Sequence, residues 1–238
     1  MKHRYPYTVA TFDGGADQKL SLSGLLRINQ EAGECHMRSI GLPYGVLREK
    51  GIAFLIVRLA TNICALPALG DEIFCETWSG GVQGASLLRY YSGKNAAGER
   101  LWDTCAVLVA IDVVNGKLLR PSAIDWLDQF AHGEADGCVA PGKLRAPEEL
   151  PLVGVREIRH SDIDVNAHWN NTKYADMLYD FLPGEMAPVQ SFAIQFSREA
   201  LLGDQVEIAA QRLDGDVLWM QGSHARGVCF SASAVLRP

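Results

Sequence analysis

The stretch VGVREIRHSDIDVNAHWNNTKYADMLYDFL, residues 153–182, joins a strand pattern to a helix pattern through a polar turn. Residues 153–164 read as strand. Residues 170–182 place Tyr174, Met177, Leu178 and Phe181 on one helical face, and Pro183-Gly184 stops it. Between them Asp164, Asn166 and His168 fall at alternate positions, followed by Asn170 and Asn171. Asp and Asn before a helix are ordinary caps. The same residue types also move protons and hold a carbonyl or a water.

Working outward, four strand patterns follow: residues 189–201, 204–214, 216–226 and 227–237. The first half carries the same order. RYPYTVATFD (4–13) reads as a strand. Residues 19–42 then place Leu22, Leu25, Leu26, Ile28 and Ala32 mostly at helical spacing, with Ser21 or Ser23 as cap and Gly41 beyond the end. Strand patterns occupy 53–66, 71–81, 84–94 and 100–117. NGK and DGD supply hairpin turns, and Gly-Asp precedes an apolar strand in each half, at 70–71 and 203–204. Between the halves, residues 121–153 are broken by Pro121, Pro141, Pro147 and Pro151, with a short helix expected over AIDWLDQF (123–130). Each half therefore predicts one helix covering the apolar face of an antiparallel sheet, an α+β plan used twice. The expected division is 1–120, a connecting segment 121–153, and 154–238.

The whole chain narrows the function classes. It has 238 residues, 22 Lys and Arg against 28 Asp and Glu, and a net charge of −6, which argues against a nucleic-acid partner. The longest apolar run, CAVLVAI (105–111), falls short of the ~20 residues a membrane helix needs. The N-terminus is charged and then alternates, unlike an export signal, so a cytoplasmic location with no membrane partner is expected. Six cysteines, none in a C-x-x-C pair, read as free thiols. A metal alternative comes from His160, Asp162 and Asp164, which would share one face of a strand, with His168 completing the set. No spacing of a known metal motif supports it, and no cofactor is expected.

SDIDVNAHWNNTKY (161–174) resembles the acyl-acyl carrier protein thioesterase motif D-x-N-x-H-x-N-N-x-x-Y, carried by Asp164, Asn166, His168, Asn170, Asn171 and Tyr174. The tandem order resembles the double hotdog of that family, a curled sheet around a central helix, twice. The family carries an Arg-Glu-Cys triplet on the following strand; the matching residues here are Arg198, Glu199 and Ala200. A cysteine nucleophile is therefore excluded. The resemblance implies a catalytic set of Asp164, Asn166, His168 and Glu199, with Asn170, Asn171 and Tyr174 binding substrate. It implies a first half that shapes the acyl pocket, and an acyl carrier protein as partner. Glu199, between Phe196 and Leu201, is expected in a partly dry site where burial favours a general base or nucleophile. Free N–H groups at the helix start are expected to hold an oxyanion. Hydrolysis of coenzyme A thioesters and non-catalytic acyl binding are the alternatives. A double hotdog already contains the pairing that single hotdogs reach by dimerising, so monomer and homodimer are both open.

Overall fold

The protein is described here by a computed structural model covering residues 2–127, 132–182, 187–213 and 216–237. It divides into two compact units, Met1–Pro141 and Gly142–Pro238. Each is an antiparallel sheet with helical segments, and together they make the double hotdog that the element order predicts.

The first unit contains β1 (His3–Thr8), α1 (Leu22–Ser39), α2 (Tyr44–Glu49), β2 (Ile52–Ile63), β3 (Glu72–Gln83), β4 (Ser86–Asn95), β5 (Arg100–Asp112) and β6 (Lys117–Leu119). Its sheet order is β1-β3-β4-β5-β2, with β6 paired to β5. Ser21 caps α1, its hydroxyl accepting from Gly24 N–H at 3.0 Å, and past the other end Gly41 takes φ +77°. The α1 core face carries Leu22, Leu25, Leu26, Ile28 and Ala32, as the periodicity predicts. It also buries Asn29. That amide donates to Thr104 Oγ1 at 3.0 Å and accepts from Trp102 Nε1 at 3.0 Å, so its burial leaves no amide group unpaired. The helix expected over 123–130 is not formed in its described part, where Pro121–Ala123 makes a 3-10 turn; residues 128–130 lie outside the described residues.

The second unit contains β7 (Leu152–Glu157), a 3-10 turn (His160–Asp162), a 3-10 segment (Asn171–Ala175), α3 (Met177–Asp180), β8 (Val189–Phe196), β9 (Gln205–Leu213), β10 (Val217–His224) and β11 (Gly227–Leu236), in sheet order β8-β11-β10-β9-β7. The expected helix is thus a 3-10 segment followed by one α-helical turn. Tyr174, Met177 and Leu178 are buried and Phe181 is partly buried, as the pattern requires. The Pro183-Gly184 stop and the DG of the DGD turn lie outside the described residues.

The two units share a main-chain skeleton. Ser21 N–H donates to Asp13 C=O, and Asn170 N–H to Asp162 C=O, both at 2.9 Å. Gly15 N–H reaches Lys19 C=O as Asp164 N–H reaches His168 C=O, again both at 2.9 Å. Gly70 N–H bonds to Val9 C=O, and Gly203 N–H to Ile158 C=O, at 2.8 Å in each unit. Gln18 and Ala167 both adopt left-handed backbone, at φ +59° and +61°. The Gly-Asp pairs seen in sequence are part of this skeleton: Asp71 accepts from Ala68 N–H and Asp204 from Leu201 N–H.

Candidate active site

Before the loop comes a buried carboxylate. Asp162 lies in the 3-10 turn and accepts from Arg159 N–H at 2.9 Å, Arg156 Nη2 at 2.8 Å and Lys173 Nζ at 3.3 Å. Burial alone would push its pKa up. The Arg159 N–H, the Arg156 charge and Lys173 together outweigh burial and hold it below the usual carboxylate range. His160 and Asp162 therefore sit in a turn, not on one face of a strand, and Asp162 is filled by nitrogen donors. The metal alternative loses its geometry. Among the described residues no group of three His, Cys, Asp or Glu side chains is placed to hold a metal.

The loop itself is closed by its own backbone. Asp164 Oδ1 accepts from Asn166 N–H at 2.8 Å, with His168 N–H at 3.4 Å, and Ile163 bridges Trp169. The left-handed Ala167 turns the chain between Asn166 and His168, and both of these residues are exposed. Asn170, expected beside the substrate, uses its side-chain oxygen as the cap of the 3-10 segment, accepting from Thr172 N–H at 2.9 Å and Thr172 Oγ1 at 2.8 Å. Of the N–H groups at the helix start, foreseen from sequence as an oxyanion site, that of Thr172 is thus already taken by the Asn170 side chain. Asn171 is partly buried at the first position of that segment.

Trp169 and Tyr174 form the floor of the loop. Their rings stack at 3.8 Å, and Phe230 meets both edge-on, at 6.1 and 5.2 Å. Tyr174, also expected at the substrate, is 3% exposed and supports the loop from below. Burial above all, then the neighbouring Cys229, Asp164 and Glu199, push its phenol up, against a backbone hydrogen bond from Ala200. Asp164 and Glu199 thus both lie within electrostatic reach of one phenol.

Glu199 follows the end of β8, and its neighbour Ala200 takes the buried position. Trp169 N–H donates to Ala200 C=O at 2.8 Å, fastening the Asp164 loop to the Glu199 segment. The carboxylate expected in a dry site is exposed. The strand ends at Phe196, so alternation no longer decides which side chain turns inward. Two residues outside the expected catalytic set converge on the Glu199 backbone. His224 Nε2 lies 3.0 Å from Glu199 C=O and Arg226 Nη2 3.3 Å from it. Nothing in the hairpin sequence SHARG marks them, because a His and an Arg at a turn read as solvated. In the first unit Leu20 N–H donates to Pro67 C=O at 2.9 Å, as Trp169 does to Ala200. The skeleton thus puts Gly15, Asp17, Lys19 and Leu66 where the second unit has Asp164, Asn166, His168 and Glu199.

The family model for the acyl-ACP thioesterase N-terminal domain matches residues 1–122, and that for the C-terminal domain matches residues 152–229. The chain belongs to the acyl-ACP thioesterase family. Relatives include the chloroplastic dodecanoyl-[acyl-carrier-protein] hydrolase of Cinnamomum camphora, 23% identical over 84% of this chain and 56% of that protein. Oleoyl-acyl carrier protein thioesterase 1 of Arabidopsis thaliana is 20% identical over 87% of this chain and 63% of its own length. The chain thus spans less than two thirds of the length of these relatives. An acyl-ACP thioesterase structure from Bacteroides thetaiotaomicron superposes with a TM-score of 0.90 at 16% identity, covering 99% of this chain and 98% of that one. The 12:0-ACP thioesterase of Umbellularia californica gives 0.84 at 19% identity over 100% and 97%. At these identities the structures establish the fold.

Proposed function

We propose that the second unit hydrolyses the thioester of an acyl chain borne on acyl carrier protein, releasing the free fatty acid. The observation that supports this reading most is the Trp169–Ala200 hydrogen bond, which joins the Asp-Asn-His loop to the Glu199 segment in a chain whose two halves both match the family. Glu199 takes a proton from water, and the oxygen attacks the thioester carbonyl. The carbon–sulfur bond of the tetrahedral intermediate then breaks, and the thiolate leaves with a proton returned from the site. A leaving thiol with a pKa of ~8.5 needs little assistance. The His168 imidazole and the Asn166 amide orient water and carbonyl. Asp164 holds the loop through its accepted N–H groups. Ala200 offers no thiol, so the reaction runs without an acyl-cysteine intermediate.

The carrier protein is acidic and needs a cation near the site. Lys173 is paired with Asp162, and Arg226 with Asp204 at 2.5 Å. The Arg198 guanidinium, beside Glu199, has no ion pair among the described residues and is the cation available to a carrier. The test is thiol release from acyl carrier protein and coenzyme A thioesters of graded length. Turnover of the carrier esters, lost in Glu199→Ala, is the expected result. Turnover of coenzyme A esters alone moves the function to the second thioester class. Tight acyl binding without turnover replaces hydrolysis by binding.

A further inference from the structure

We propose that His224 is a positioning residue for Glu199, acting with Arg226, and that it works as the neutral imidazole protonated at Nε2; this rests on Glu199 being the reacting carboxylate.

A backbone carbonyl can only accept, so His224 Nε2, 3.0 Å from Glu199 C=O, must be the donor. On the other side of the ring, Arg226 N–H donates to Nδ1 at 3.1 Å. Nδ1 therefore carries no proton, and the tautomer is fixed from both sides. Arg226 closes the arrangement. Its Nη2 reaches Glu199 C=O at 3.3 Å, and Nη1 reaches Asp204 Oδ1 at 3.0 Å. Asp204 is in turn anchored by Leu201 N–H at 2.7 Å. The carbonyl of one exposed residue thus receives two side-chain donors from the β10–β11 hairpin, one of them from a histidine that is 9% exposed.

This arrangement belongs to the second unit. Asp71 has the place of Asp204 and accepts from Ala68 N–H in the same way, but the first unit has Leu66 in place of Glu199 and no arginine paired to Asp71 among the described residues. The shared skeleton folds without the His-Arg clamp. The clamp accompanies the carboxylate, not the fold.

Beyond the strand end at Phe196, Arg198 N–H is held by Cys229 C=O at 3.3 Å and Ala200 C=O by Trp169 N–H at 2.8 Å, and the clamp fixes the Glu199 carbonyl between them. Small displacements of a reacting group reduce turnover far more than they reduce substrate binding.

The test compares His224→Gln, His224→Phe and the wild type in thiol release. The Gln amide nitrogen stands where Nε2 does and donates to the carbonyl; Phe keeps the ring volume without a donor. His224→Phe should lower kcat about tenfold at unchanged KM and an unchanged melting profile. His224→Gln should recover most of kcat. Nitrogen-15 shifts of the wild-type ring should show the Nε2–H form. An Nδ1–H ring, full activity in His224→Phe, or equal losses in the Phe and Gln variants would each overturn the positioning role while leaving hydrolysis intact. A wild type that turns over no thioester would overturn the catalytic reading itself, and this role with it.

Discussion

Glu199 and His168 are exposed, and neither side chain carries a hydrogen bond among the described residues. Removing them should therefore cost the fold little. Glu199→Ala and His168→Ala are expected to unfold within about 0.5 kcal/mol of the parent in urea, while thiol release falls by about two orders of magnitude or more. Ala167 is the opposite case. It does no chemistry, but its φ of +61° is costly for a residue with a Cβ. Ala167→Gly should leave stability unchanged or raise it by up to about 1 kcal/mol, and Ala167→Val should lower it, both read from urea midpoints. At this scale the polar turn carrying Asp164, Asn166 and His168 was legible because alternate polar residues before a helix pattern are unusual together. The packing of Asn170 and Tyr174 was not. Whether an Asn caps or contacts, and whether a Tyr floors a loop or lines it, depends on neighbours such as Thr172, Phe230 and Ala200 that come from packing.

The 3-10 turn carrying Asp162 ties the end of β7 to Lys173 in the next element. Asp162→Asn takes the counter-charge from Arg156 and Lys173, whose side chains are 35% and 32% exposed, and should cost about 1 to 2 kcal/mol. The pH dependence has a defined sign. The folded pKa of Asp162 lies below its unfolded value of ~3.9, so the stabilisation is complete above that pH and is lost as acid carries the pH down through the folded value. Acid unfolding curves of Asp162→Asn should lack this low-pH component. Among helices, α1 was legible because its apolar spacing persists over 18 residues. The six residues of α2 were missed, since one or two turns give no measurable period. In the second unit the same face pattern produced only a 3-10 segment and a single α-turn. Asn170 takes the amide of Thr172, two residues on, and β-branched Thr172 adds little helical preference, so the pattern shows which face is buried but not which helix forms.

At the scale of the molecule, the tandem plan was readable from element order and from the Gly-Asp pairs, although the side chains of the two units diverge. The units also respond differently to acid. In the first, burial above all and then the Arg89 charge push His36 down to about 4, and Arg89 Nη1 lies 3.2 Å from His36 Nδ1. Its unfolded pKa is ~6.5. Stability from this residue is whole above that value and is lost as the pH falls toward about 4, because the unfolded chain takes up the proton first. Urea midpoints should decline across that window in the parent, and the decline should be shallower in His36→Gln, which keeps an acceptor for Arg89. This window lies above the one set by Asp162, so mild acid should weaken the first unit before it touches the second.

Gln18 and Ala167 hold the same left-handed turn with unrelated neighbours. Main-chain bonds shape each loop, with one carboxylate added in each, Asp17 on Lys19 N–H and Asp164 on Asn166 N–H, so Lys19 and His168 are left with little folding duty. A lineage can gain or lose chemistry at such a loop without risking the scaffold. Residues 15 and 19, with the half-buried Leu66 as the place for a carboxylate, are accordingly open ground for installing a second reactive centre, and a library randomised there should yield mostly folded protein.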